Sequence, residues 1–271
     1  MSSSPDPGAS RAQARQAQRA QRGRTSAVVL LTLGFLLGVI VLAPGEGPVD
    51  GVRRVLGVTP ERPLPVVEPP TRSGAYAFMQ TTAEGEPIGF DPCTPVTVRI
   101  NPDRAPRGSE RLVESAASQL SQASGVALEL GEETDARPLL GQVGELQRQQ
   151  SAAPPAEPEI VVLWSRPRET PTLSRRTVGV GGSTAYAIGE ARPYFRQGAV
   201  ALDTGPLREA LLRGDGARRV TAVIMHELAH ALGLDHVAAD GELMNARSLG
   251  RLELGPGDRT GLALLGAVPC A

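Results

Sequence analysis

The chain's three histidines all lie in one stretch, His226-Glu-Leu-Ala-His230-Ala-Leu-Gly233-Leu-Asp-His236. His226 and His230 are four residues apart on an apolar segment that reads as a helix, so both imidazoles leave the same face one turn apart. That spacing lets both nitrogens reach one metal ion at about 2.0–2.1 Å. Gly233 can end the helix with a positive φ at little cost, and the reversed chain can then bring His236 to the same ion. Three neutral imidazoles leave the fourth position of a tetrahedral zinc open, as a catalytic site requires. Glu227 adjoins the first ligand and is expected to point at that open position. There it can act as general base toward a water acidified by the metal, then return the proton to a leaving amine. The expected cofactor is one catalytic Zn2+, with protein or peptide as substrate. The alternative is an exported binding module that keeps a structural zinc and holds a peptide or cell-surface ligand.

Composition narrows the field. The 271 residues carry 28 basic and 29 acidic side chains, a net charge of −1, which offers no overall basic field for nucleic acid. At 41% hydrophobic and 21% charged the chain is globular in character. Two cysteines exclude both a disulfide-dense miniprotein and a four-cysteine zinc site. A bare His-Glu-x-x-His arises by chance in roughly one chain in a hundred of this length. The added Gly233 and His236 make the pattern far more specific.

The segment resembles the metzincin metallopeptidases, whose signature is HExxHxxGxxH followed by a methionine turn. Leu243-Met244-Asn245 stands where that turn is expected. The resemblance implies that Met244 packs beneath the histidines without ligating the ion. The match is nearest to the matrixins: Gly233-Leu234-Asp235-His236 matches their run at the third ligand. Asp258-Arg-Thr-Gly-Leu-Ala-Leu-Leu-Gly266 matches their closing helix. Gly182-Ser183-Thr184-Ala185-Tyr186 then resembles the family's substrate-binding edge strand, against the plainer reading of an interior strand. There are two departures. No zinc-capping propeptide cysteine motif precedes the domain, and Asn245-Ala246-Arg247 replace the family's Pro and Tyr after the methionine. No calcium site is legible.

The elements that must position these residues read as an α/β (α+β) domain over 73–271. The resemblance implies a twisted, mostly parallel sheet of about five strands, an active-site helix and a C-terminal helix. The spacing predicts a small hairpin over 75–80 and 88–90, and strands at 96–101, 126–130, 160–164, 182–188 and 198–202. Helices are predicted at 109–122, after Thr204, at 217–232 and at 256–265, with a long polar loop over 133–158. The continuous run 160–164 suits a central strand buried on both faces, with Trp164 in the core. Cys93 and Cys270 stand at the two ends of the domain and are expected to pair in an oxidising compartment. The rival reading makes Cys93 a zinc-capping thiol.

Ahead of the domain, residues 1–26 carry five arginines against one acid and read as a disordered basic cytosolic tail. Residues 27–43 form an apolar run of 17 within an uncharged stretch of 21, about 30 Å as a helix, the thickness of a bilayer core. An uncleaved signal anchor is expected, with the arginines holding the N-terminus in the cytosol. A cleaved signal peptide is the rival. Residues 44–72, with seven prolines, read as an extended stalk. The expected location is therefore the plasma membrane, single-pass, with the catalytic domain outside.

Overall fold

The computed structural model describes residues 62–72, 74–138, 157–174, 177–187, 192–247 and 250–271, all within one compact unit, Pro60–Ala271. The expected tail and membrane span lie outside the described residues. Among the described residues no helix is long and apolar enough to cross a membrane.

Five strands and four helices alternate as expected: β1 (Val96–Asn101), α1 (Ser109–Ser124), β2 (Leu128–Leu130), β3 (Glu159–Ser165), β4 (Gly179–Tyr186), β5 (Tyr194–Asp203), α2 (Thr204–Leu211), α3 (Gly216–Leu232) and α4 (Pro256–Gly266). The sheet order is β2-β1-β3-β5-β4. All pairings are parallel except β4 with β5. β3 sits in the middle and is buried on both faces. Ile160, Val162 and Trp164 join the main core beneath the helices, while Val161 and Leu163 meet Leu173, Val180, Ala199 and Ala201 on the other face. That two-sided burial is why its sequence is a continuous apolar run instead of an alternating one.

α1 buries Val113, Ala116, Ala117 and Leu120 on one stripe and packs against α3 and α4. It ends at Gly125, whose φ of 75° is the left-handed conformation that only glycine adopts cheaply. α3 is apolar almost all round: Val220, Ala222, Ile224, Met225, Leu228, Ala229, Ala231 and Leu232 are all buried. A helix of that kind must bury most of its surface. β4, β5, α1, α2 and α4 cover it here.

Three local expectations shift. The 75–90 segment forms isolated bridges, Thr81 with Pro87 and Phe78 with Leu234, in place of a regular hairpin. Its chain pairs with the loop after α3 as much as with itself. β2 is shorter than predicted because Val126 and Ala127 lead out of the Gly125 turn. β4 starts three residues earlier than predicted, at Gly179, since its Gly-Val-Gly-Gly start carries no alternation to read. Within the stretch expected to be stalk, Arg62 donates to Gly266 O and Val268 O, both at 2.6 Å, and satisfies carbonyls at the end of α4.

Cys93 and Cys270 form a disulfide with Cα atoms 5.5 Å apart, closing a loop across 177 positions. The capping-thiol alternative for Cys93 falls with it. Asp91 braces one end by accepting from Cys93 N–H at 2.9 Å and from the Thr94 hydroxyl at 2.8 Å. The bridge should contribute roughly 4–5 kcal/mol by restricting the unfolded chain. Urea unfolding of Cys93→Ser/Cys270→Ser beside the wild type should show a loss of that order. A loss under about 1 kcal/mol would contradict the entropic account.

Candidate metal centre

α3 delivers the first two histidines as their spacing predicts, and Gly233 delivers the third. At Gly233 φ is 123°, and its N–H bonds back to Ala229 O and His230 O, both at 3.0 Å. A Cβ there would lie 2.9 Å from Ile88 O, so the site excludes a side chain as well as favouring glycine's backbone. The chain then reverses. Met79 N–H donates to Gly233 O at 2.9 Å and Asp235 N–H to Ala77 O at 2.8 Å. The reversed loop is thus held as a short antiparallel pair with 77–79. Asp235 Oδ1 accepts from His236 N–H at 2.7 Å, and His236 faces back toward α3.

His236 Nε2 lies 3.1 Å from both His226 Nε2 and His230 Nε2. Nδ1 of His226 is 2.8 Å from Leu243 O, and Nδ1 of His230 is 2.7 Å from Leu234 O. A carbonyl only accepts, so each Nδ1 carries the proton and each Nε2 presents a lone pair. His236 has at most one Nε2 proton for two contacts, so the cluster is not satisfied by hydrogen bonding alone. Two ligands of a tetrahedral zinc, each about 2.0–2.1 Å from it, stand roughly 3.3–3.4 Å apart. The three nitrogens therefore fit one ion. The two carbonyls also supply the outer hydrogen bonds that orient ligating imidazoles.

Burial sets the electrostatics. It pushes His226 down to about 4 and His230 down to about 3, against the opposing carbonyl bonds, so both are neutral at pH 7. His236, more exposed, is lowered by burial, with Asp235 opposing. Glu227 is raised by burial alone to about 8. Its side chain faces the cleft that holds the histidines, a cavity of about 530 Å³. The cleft is walled by Thr177–Gly181, by α3 from Arg219 to His230, and by Leu243, Ala246 and Leu252.

Met244 is buried at 1% exposure in the main core. Its carbonyl accepts from Val237 N–H at 3.0 Å, one residue past the third histidine. Two buried carboxylates hold this methionine loop. Asp258 accepts from Leu243 N–H at 2.6 Å, Met244 N–H at 3.2 Å and Gly255 N–H at 2.8 Å. Burial pushes its carboxyl up, three backbone donors pull it down, and the neighbouring Glu242 charge adds to the rise. Glu242 accepts from Gly257 N–H at 2.9 Å and Asp258 N–H at 3.0 Å, at the positive end of α4. The same Leu243 whose N–H meets Asp258 offers its carbonyl to His226. Asp258 was readable only as the first residue of the run that resembles the matrixins' closing helix, and Glu242 carried no signal in sequence beyond being an acid before the methionine.

Of the expected substrate strand, Ser183 and Thr184 are buried, while Ala185 and Tyr186 are partly covered. They belong to β4, which is at the end of the sheet order and pairs with β5 alone. The part of β4 that lines the cleft is its start, Gly179–Gly181, one step earlier along the strand.

No family model matches the chain, and no curated protein matches it. Among solved structures it is similar to the archaemetzincin of Methanopyrus kandleri, at 16% identity and a TM-score of 0.37, over 63% of this chain and 93% of that one. It is also similar to high choriolytic enzyme 1, a hatching-enzyme zinc protease of the medaka Oryzias latipes, at 14% and 0.26, over 59% of this chain and 50% of that one. Metalloproteinase-II of Bacteroides fragilis follows at 13% and 0.32, over 76% of this chain and 56% of that one. Scores this low leave the functional reading to the site's own residues.

The metal-free chain should show opposed pH slopes. His226 and His230 titrate below the unfolded value of 6.5, so the unfolded chain takes up protons that the folded one refuses. Their contribution is lost as pH falls from about 6.5 toward 4. Glu227 titrates above its unfolded 4.5, so its contribution is lost as pH rises from 4.5 to about 8. Urea unfolding in chelator from pH 4 to 9 should show the acid loss in both wild type and Glu227→Gln. The alkaline loss should be flatter in Glu227→Gln, and an unchanged alkaline limb would contradict the assignment.

Proposed function

We propose that the protein is a zinc-dependent endopeptidase of metzincin type, matrixin-like in its closing helix and third-ligand run. The observation that carries the reading is the convergence of three imidazole lone pairs beside a buried glutamate in an open cleft. Zinc held by His226, His230 and His236 would supply Lewis acidity toward a peptide carbonyl and lower the pKa of a water at its open position. Glu227 takes the proton from the attacking water and hands it to the departing amine. The two backbone carbonyls keep His226 and His230 oriented throughout, and burial of Glu227 matches its proton affinity to neutral pH. An extended peptide would lie along β4, which pairs with no strand but β5 among the described residues, as strand addition to a terminal strand requires. On that strand Ser183 O accepts from Gln80 Nε2 at 3.3 Å. Substrates would be proteins or peptides outside the cell, since residues 27–43 are proposed to anchor the chain in the plasma membrane with this domain facing out.

Glu227→Ala should keep zinc at wild-type stoichiometry and lower peptide hydrolysis by about 10²-fold or more. His230→Ala, one ligand short, should lose both zinc and activity. Metal analysis of the full-length protein beside a peptide-library cleavage screen checks both. Zinc retained with no cleavage of any peptide by the wild type would favour the binding module.

Topology has its own check. Protease added to intact cells or spheroplasts should digest the metal-binding domain and spare the arginine-rich tail. A soluble mature form beginning near Pro44 would mean a cleaved signal peptide.

A further inference from the structure

Glu227 is fixed in an unusual way. The hydrogen bonds that orient His226 and His230 have no counterpart at its oxygens among the described residues. What confines it is steric. The backbone of β4 runs directly across α3 at this point. A Cβ built at Gly179 would lie 2.6 Å from both Cγ and Oε1 of Glu227 and 2.7 Å from its Cδ. Two residues on, a Cβ at Gly181 would strike the Glu227 carbonyl oxygen. Residues i and i+2 of a strand share a face, so both glycines turn the same bare face to the same helix residue. Neither has a positive φ, so backbone freedom does not require glycine at either place. The missing side chain does.

We propose that Gly179 is a positioning residue: by lacking a Cβ it forms the wall against which the Glu227 carboxylate is set toward the metal centre. The inference rests on the peptidase reading for its catalytic consequence, although the contact itself does not. β4 brings this wall and the cleft's substrate edge on one strand. Its place on α3 is pinned by the Ser183 hydroxyl, which donates to Ala231 O at 2.6 Å. The two glycines differ in what would have to move. At Gly179 the obstacle is the Glu227 side chain from Cγ outward, which can give way by changing rotamer. At Gly181 it is backbone, which cannot.

The test is a double-mutant cycle in the full-length protein, Gly179→Ala in the wild type and in Glu227→Ala. Gly179→Ala alone should retain zinc and KM while kcat falls by roughly 10²-fold, the cost of misplacing a reacting group by about 1 Å. It should also lower the urea midpoint, and that loss should vanish in Glu227→Ala, where Cγ and the carboxylate are gone. Gly181→Ala, which meets backbone, should lower the midpoint equally in both backgrounds. Equal destabilisation by Gly179→Ala in both backgrounds would overturn the proposal, as would an unchanged kcat with zinc bound. A wild type that binds zinc and cleaves nothing overturns the peptidase reading instead, while the stability cycle still decides whether Gly179 holds Glu227.

Discussion

Three imidazole nitrogens, two of them 3.1 Å from the third, crowd their lone pairs together unless a cation lies between them, and most of what surrounds the histidines resists that repulsion. α3 packs against β4, β5, α1, α2 and α4 on all but its cleft face, so the pair it carries cannot rotate away without opening the main core. The third histidine has no helix to hold it. Its loop is held by the Gly233 reversal, by two backbone bonds to 77–79 and by Val237 N–H on Met244 O. Each restraint comes from a different part of the chain. The segment before β1, the methionine loop and the helix itself must all be folded before the third nitrogen is in place.

Burial has opposite effects on the two kinds of titrating group in the cleft. It keeps His226 and His230 neutral and therefore able to ligate, and it makes Glu227 hold its proton more tightly. One cause thus leaves both imidazoles neutral and the Glu227 carboxyl protonated to higher pH. A nearby cation would favour the carboxylate again, so the proton affinity of Glu227 depends on whether the centre is loaded. The supporting carboxylates are outside this arrangement. Asp258 and Glu242 spend their charge on backbone amides of the methionine loop and of α4. They reach the histidines through Leu243, whose carbonyl meets His226, and through Met244, whose carbonyl meets Val237 beside His236.

The convergence of the three histidines was legible because its geometry is local: four residues make one helical turn, and a glycine three further on ends it. β3 was legible because burial on both faces leaves a continuous apolar run, and α1 because its buried stripe keeps a helical period. What escaped the reading is non-local. Asp258 meets Leu243 across 15 positions, and Gly179 meets Glu227 across 48. Such contacts leave no periodic trace. The start of β4 escaped because glycines record neither face of a strand, and the 75–90 segment because it pairs with the loop after α3 as well as with itself. The two carbonyls that orient the ligands belong to backbone, which no side-chain pattern reports.

A strand that opens Gly-Val-Gly-Gly is a poor strand by propensity, since glycine forfeits both side-chain packing and backbone entropy. It forms here because β5 pairs with it along its whole length and because Ser183 ties it to α3. That expense has a structural return. An edge strand bearing side chains at 179 and 181 would stand off from α3, and the cleft floor would recede from the histidines. Bare backbone lets the open ladder of β4 approach Glu227 as closely as atoms allow. The residues weakest as strand formers are therefore the ones that bring the backbone of β4 against Glu227, beside the three histidines.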